Sequence, residues 1–263
     1  MSKVIKIYCE GKAGSHDFDL ISKVIDGLNV QIKPIGGKRG AKSAIQVYEA
    51  GLTKSHFKIF FRDRDFDAPV PDTVRLQNDG SYVCYSYRTT IENYLLEFKT
   101  IEAYSEGKSW KTQDLYSKYC EAATRIRYFQ ATRHTLGVLR VPTDFGTNIV
   151  AGSGKLPNDL TEGYCREKGY GKVLKSLKLT ENWTRTNYDL LFDRFAGQFD
   201  DQFIQSGEFL VYFQGKDFMK SLCTLLPRFS PKDYYNFAKA RFDYREFADL
   251  IELRGLVTRA LNS

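Results

Sequence analysis

Phe57-Lys58-Ile59-Phe60-Phe61-Arg62-Asp63-Arg64-Asp65-Phe66-Asp67 is an apolar, strand-favouring run that ends in three acids at alternate positions. In a parallel sheet such a strand is buried, and its carboxyl end is where ligands and chemistry gather. Carboxylates crowded at that end repel one another unless a positive charge stands between them. Oxygen donors of this kind favour a hard divalent cation, Mg²⁺ or Mn²⁺. Strand-end acids that simply face water are the plain alternative, so the triplet alone does not decide function.

The residues before it supply the rest of a sheet. Residues 4–8 alternate apolar and basic side chains and predict a first strand, ended by Glu10-Gly11-Lys12-Ala13-Gly14-Ser15. Ser15 or Asp17 is placed to cap a helix whose apolar positions, Phe18, Ile21, Val24, Ile25 and Leu28, follow helical spacing. A second strand over 30–35 ends at another glycine-rich basic turn, Gly36-Gly37-Lys38-Arg39-Gly40, followed by a helix over 41–50. A fourth strand lies over 82–87, and Thr90-Ile91-Glu92-Asn93-Tyr94 opens a helix. Alternating strands and helices predict an α/β fold with a parallel sheet and right-handed crossovers. Glu10 then ends the first strand and Asp63 and Asp65 the third, on one carboxyl edge. There a glutamate serves as general acid/base and two aspartates hold a metal.

Glu10-Gly11 after one strand and Asp63-Arg64-Asp65 after another resemble the TOPRIM signature of topoisomerases, primases and OLD-type nucleases. With Thr90-Ile91-Glu92-Asn93-Tyr94 added, the chain resembles one TOPRIM-like branch more closely, the branch that includes the effector (AriB) of the PARIS anti-phage system. That effector partners an ABC-type ATPase (AriA). The resemblance spans about the first hundred residues. It implies a TOPRIM-like sheet flanked by helices, Glu10 as the catalytic glutamate and Asp63 and Asp65 as metal-binding acids. Asp67 or Glu92 would extend the metal site. It further implies a toxic, abortive-infection effector that is held by its ATPase, acts as a homodimer and cleaves host tRNA. The segment between Gly11 and Asp17 is longer than the family's, which leaves open whether Asp17 is its early aspartate. Arg62 and Arg64 flank the acids where many TOPRIM loops are small or acidic. They either bind substrate phosphate or neutralise the acids while metal is absent, and strand alternation sends Arg62 and Asp63 to opposite sides.

Beyond residue 98 the pattern turns helical. Residues 1–98 are therefore read as the catalytic domain and 99–263 as a mostly helical elaboration, with a strand at about 210–213 returning to the sheet. Leu115, Tyr119, Ala122, Ala123, Ile126 and Phe129 form one apolar helix face. Residues 111–140 carry six Lys/Arg against only Asp114 and Glu121, a clear basic bias. Arginine among aromatics suits RNA or single strands, with Arg125 and Arg127 as contacts; a core-packing stripe with a solvated basic edge is the plainer explanation of the pattern. Lys12, Lys38, Arg39 and Arg64 are further phosphate contacts in this reading, with solvated surface charge the commoner explanation for the three on glycine loops. Lys216, read at a strand-to-helix turn, is placed to steady a leaving oxyanion. Residues 142–163 read as a long loop, and 233–261 as a packing or dimerisation element.

The 263 residues carry a net charge of +7, which favours an anionic partner, RNA or DNA alike. No apolar run approaches membrane-spanning length and no signal-peptide pattern opens the chain, so a cytoplasmic protein is expected. Five scattered cysteines without a C-x-x-C pair predict reduced thiols. Two rival functions stand beside the nuclease. One is a TOPRIM-like module that docks nucleic acid or an ATPase without catalysis. The other is a haloacid-dehalogenase-type phosphatase, disfavoured because its Asp-x-Asp pair usually follows the first strand.

Overall fold

The computed structural model describes residues 5–36, 43–44, 46–47, 58–66, 69–79, 82–106, 108, 110, 112–141, 147–150, 155–176 and 183–262. Its first part runs β1 (Ile5–Cys9), α1 (His16–Val24), β2 (Val30–Pro34), β3 (Lys58–Arg62), β4 (Gln77–Asp79), β5 (Val83–Tyr85) and a 3-10 helix (Ile91–Leu95). Then follow α2 (Phe98–Ser105), α3 (Thr112–Val138), α4 (Glu162–Leu174), α5 (Arg185–Gln198), α6 (Asp201–Gln205), α7 (Phe209–Tyr212), α8 (Gly215–Leu225), α9 (Pro231–Arg241) and α10 (Ala248–Asn262). Of the helix expected over 41–50, the described residues 43, 44, 46 and 47 are helical.

The chain divides into two compact units. One takes Met1–Arg64, Val70–Leu95 and Asn236–Ser263; the other takes Asp65–Pro69 and Leu96–Tyr235. The first holds the sheet, in the order β2-β1-β3-β5-β4. Pairing is parallel except at the edge, where β4 runs antiparallel to β5. Ile5, Ile7, Cys9, Ile59, Phe61 and Cys84 share one buried face, as alternation along strands requires. Buried Leu20, Ile21 and Val24 of α1 pack with this sheet, as does α10 through Leu250, Leu253 and Val257. On the opposite face Tyr8 stacks on Phe60 with ring centroids 4.9 Å apart.

The C-terminal helices are fastened to the same unit by polar contacts. Tyr87 N–H donates to Asp249 Oδ2 at 3.0 Å, and the Tyr94 hydroxyl donates to the same oxygen. Lys239 Nζ pairs with Asp19 Oδ2 at 2.7 Å, and Arg254 Nη1 donates to the Val24 and Asp26 carbonyls at 2.6 and 3.0 Å. Residues 236–263 thus complete the sheet unit, where a boundary at 98/99 would assign them to the helical part. Hydrophobic period alone carries no information on which unit a helix joins.

The second unit is built on α3, which packs against α4, α5 and α8. Its predicted apolar face, Leu115 to Phe129, is buried throughout. Arg133 and Asp217 form an ion pair beside Gln130, all three buried, with the Gln130 amide donating to Asp217 Oδ2 at 2.9 Å. Of the expected loop over 142–163, the described residues 147–150 and 155–161 carry neither helix nor strand, while Glu162 and Gly163 already belong to α4; Arg133 donates to Thr147 Oγ1 at 3.2 Å.

The strand expected at about 210–213 is a correction: Phe209–Tyr212 is α7. A short apolar run has no period that separates strand from helix. Here Phe209 and Phe213, four residues apart, enter an aromatic cluster with Phe218 and Phe199, their centroids 4.9 Å away in each case. Among the described residues no helix is long and apolar enough to cross a membrane.

Candidate functional site at the carboxyl edge of the sheet

The strand order places β2 on one side of β1 and β3 on the other, so the chain reverses direction across the sheet at β1/β3. Loops leaving two such strands diverge and open a crevice at their carboxyl ends. Glu10 directly follows β1, and Asp63 directly follows β3.

The loop after β1 is shaped by glycine. Gly11 has φ 84°, and a Cβ there would fall on Ser15 Oγ, 2.8 Å from Ser15 Cβ and 3.4 Å from Asp17 Oδ2. Gly11 and Gly36 exchange backbone hydrogen bonds at 2.8 and 2.9 Å, tying the turn after β1 to the turn after β2. Ser15 caps α1, its hydroxyl accepting from Phe18 N–H at 3.4 Å. Cys9 beneath this loop is buried, and its thiol is pushed up to about 12 by burial, with Asp17 and Glu10 adding to it. It remains a thiol at neutral pH and is no nucleophile.

Register sets the next relation. Cys9 pairs with Phe61 across β1 and β3, so Glu10 and Arg62, each one residue on, lie side by side on the other face. Arg62 Nε donates to Glu10 Oε1 at 3.1 Å, with 15% and 12% of the two side chains exposed. On its other flank Arg62 is in register with Tyr85 of β5, and its guanidinium carbon lies 5.6 Å from that ring's centroid. Glu10, Arg62 and Tyr85 form one row across three parallel strands.

Asp63 is engaged differently. Its Oδ1 accepts the Ile91 N–H at 2.8 Å, capping the 3-10 helix. That helix carries Glu92, which is buried with the rest of Thr90-Ile91-Glu92-Asn93-Tyr94. Thr90 Oγ1 donates to Asn93 Oδ1 at 2.8 Å, and Arg88 Nη1 donates to the Asn93 carbonyl at 2.7 Å. The whole pentad is therefore packed inside the sheet unit. Asp65 is half-buried with a left-handed backbone (φ 47°), a conformation aspartate accepts better than most residues, and it opens the segment grouped with the helical unit. Phe66 beside it is held within that unit, its ring 4.8 Å from His134 and 4.4 Å from the Arg133 guanidinium carbon. A Cβ on Gly137 would fall on the Phe66 carbonyl. That glycine inside a helical run was the available signal of close backbone approach.

The other predicted contacts separate by burial. Arg64 is corrected: it is fully buried, donating from Nε to the Tyr87 carbonyl and from Nη2 to Thr89 Oγ1, both at 3.2 Å. A guanidinium committed to the loop after β5 offers nothing to a nucleic acid. Lys12 is exposed on its glycine loop. Arg125 is exposed and bonds Thr224 Oγ1 at 2.7 Å; Arg127 lies 3.6 Å from Asp201 and bonds the Tyr128 hydroxyl at 3.0 Å. Lys216 is exposed in the first turn of α8, and helix rather than strand precedes it, so the strand-to-helix turn assigned to it is absent. Asp67, Lys38 and Arg39 lie outside the described residues.

The donors available, Glu10, Asp63 and Glu92, are oxygen ligands suited to a hard divalent cation. Among the described residues no three Asp, Glu, His or Cys side chains converge closely enough to hold one. What stands against Glu10 is a guanidinium, a positive charge where a cation would be attracted. The donor chemistry fits the ion, while a full ligand set is not assembled among these residues. No family model matches this chain, and no curated protein is similar to it.

Proposed function

We propose that the chain is a divalent-metal-dependent endonuclease of TOPRIM type, acting as a toxic effector in anti-phage defence with RNA, tRNA in particular, as substrate. The observation that carries it is the placement of Glu10 and Asp63 at the carboxyl ends of adjacent parallel strands, at the reversal point of the sheet. In this reading Asp63 and Asp65 hold Mg²⁺ or Mn²⁺, Asp67 or Glu92 extends the set, and Glu10 is the general acid/base. The bound ion would supply polarisation of the scissile phosphodiester. Exposed cations at Lys12, Arg125 and Lys216 supply long-range attraction for a polyanion, consistent with the net charge of +7. The ABC-type ATPase partner and the active homodimer enter from the family resemblance alone.

A second reading, a non-catalytic module that docks nucleic acid or an ATPase, is favoured by the Glu10–Arg62 ion pair. An acid already neutralised by its own sheet needs no metal. One experiment separates the two. Wild type and Glu10→Gln are expressed under tight induction with the neighbouring ATPase gene and a phage trigger, and growth and RNA ends are followed. Arrest with discrete new RNA ends in wild type only supports the nuclease. Intact RNA with broken DNA changes its substrate. Identical behaviour at equal expression removes catalysis and leaves the module.

A further inference from the structure

We infer that Arg62 is a built-in counter-ion for Glu10 that competes with the divalent cation and passes to a substrate phosphate when nucleic acid binds. This rests on the proposed metal site at Asp63 and goes beyond it by giving the Glu10 carboxylate contact with the ion as well as its acid/base role. The parallel register puts the two side chains next to each other on one face, and the ion pair is largely shielded from water. A cation approaching the Glu10 carboxylate meets the guanidinium at the same oxygen, so the two exclude each other there.

Arg62 also has somewhere to go. It lies at the carboxyl edge, where a phosphodiester held by metal would lie, and its planar fork matches two phosphate oxygens in a way that ammonium does not. The Tyr85 ring flanks it on the side away from Glu10 and gives the guanidinium a surface to lie against in either position. Nucleic acid that takes Arg62 therefore releases Glu10 to the metal. By linkage, metal that takes Glu10 releases Arg62 to nucleic acid by the same factor. The free chain is a poor metal binder, and its chemistry is armed only with substrate in place.

Mn²⁺ binding is measured by calorimetry on the intact wild type, Arg62→Gln, Arg62→Lys and Glu10→Gln/Arg62→Gln. Each is measured with and without a short single-stranded phosphorothioate oligonucleotide, whose own Mn²⁺ uptake is subtracted. Arg62→Gln is expected to tighten Mn²⁺ binding to the free chain by roughly 5–150-fold, the ordinary range for coupled sites, and to abolish the further tightening by oligonucleotide. Arg62→Lys keeps the weak Mn²⁺ binding of wild type but binds the oligonucleotide less tightly, because the fork is lost. It also keeps the test valid should Arg62→Gln fold poorly. Unchanged Mn²⁺ affinity in Arg62→Gln, with binding that the added Glu10→Gln removes, overturns the inference and leaves the metal site. Mn²⁺ binding that is indifferent to Glu10→Gln overturns the inference and leaves the metal site, whereas binding absent from both wild type and Arg62→Gln overturns the metal reading and the inference with it.

Discussion

Gly11→Ala tests whether the loop after β1 is built as described. The substitution has two costs that the structure separates. At φ 84° an alanine carries roughly 1–2 kcal/mol of left-handed strain. Its Cβ would also fall on Ser15 Oγ and 2.8 Å from Ser15 Cβ, so Ser15 must move and α1 loses its cap. Loss of a serine N-cap typically costs about 1 kcal/mol. The sum is roughly 2–3 kcal/mol, or a melting point about 4–12 °C lower for a chain of this size. A double-mutant cycle with Ser15→Gly isolates the second part. Glycine is tolerated as an N-cap at a cost of a few tenths of a kcal/mol, so Ser15→Gly alone is mild. In that background Gly11→Ala should cost only the backbone strain, leaving about 1 kcal/mol of coupling. Urea unfolding of the four proteins gives the numbers. Strict additivity refutes the close approach, and a loss below about 0.5 kcal/mol for Gly11→Ala refutes the strained turn as well.

Two further predictions probe polar groups away from that loop. Burial pushes the Asp249 carboxyl up from 3.8, against the hydrogen bonds from Tyr94 and Tyr87 that pull it down. The native chain then holds more protons than the unfolded one between pH 3.8 and the raised native value, so Asp249 makes stability fall as pH rises through that window. Asp249→Asn should flatten this part of the slope in denaturation series at several pH values; an unchanged slope contradicts the shift. Arg64→Gln should cost about 1–3 kcal/mol of stability by stripping buried acceptors of their donor, and leave the salt dependence of nucleic-acid binding unaltered. Arg125→Gln should do the reverse, with little loss of stability and a salt slope shallower by about 1. A shallower slope for Arg64→Gln would return that residue to the interface.

The elements that were legible in the sequence are those whose ends are marked chemically. β1 and β2 run into glycine turns, β3 runs into acids, and α1 begins at a serine cap, so local chemistry located them. Gln77-Asn78-Asp79 carries no such mark. It is a strand because the chain folds back on β5, Asp79 facing Val83, and not because its side chains prefer it. Thr90-Ile91-Glu92-Asn93-Tyr94 was legible as helical and as notable, but its burial was not, because that depends on Asp249, 155 residues beyond Tyr94. The same holds for Arg64. A charged residue between two acids reads as surface, and the loop after β5 supplies acceptors that let it go inside.

The Glu10–Arg62 pair shows where the limit of local reading lies. Strand alternation alone separates Arg62 from Asp63, which is enough to expect one of the flanking arginines to serve as a counter-charge. Choosing its partner needs the register between β1 and β3, set by Lys6, Ile7, Tyr8 and Cys9 facing Lys58, Ile59, Phe60 and Phe61. A slip of one residue would turn Ile59 and Phe61 away from the buried face, move Arg62 to the opposite side and set Glu10 beside an acid or a phenylalanine. The core opposes that slip because β3 would bring Lys58 and Arg62 onto the face that Ile7, Cys9 and Cys84 bury. The counter-ion of the candidate catalytic glutamate is thus selected by the same apolar alternation that builds the sheet, and it is as firmly specified as the core itself.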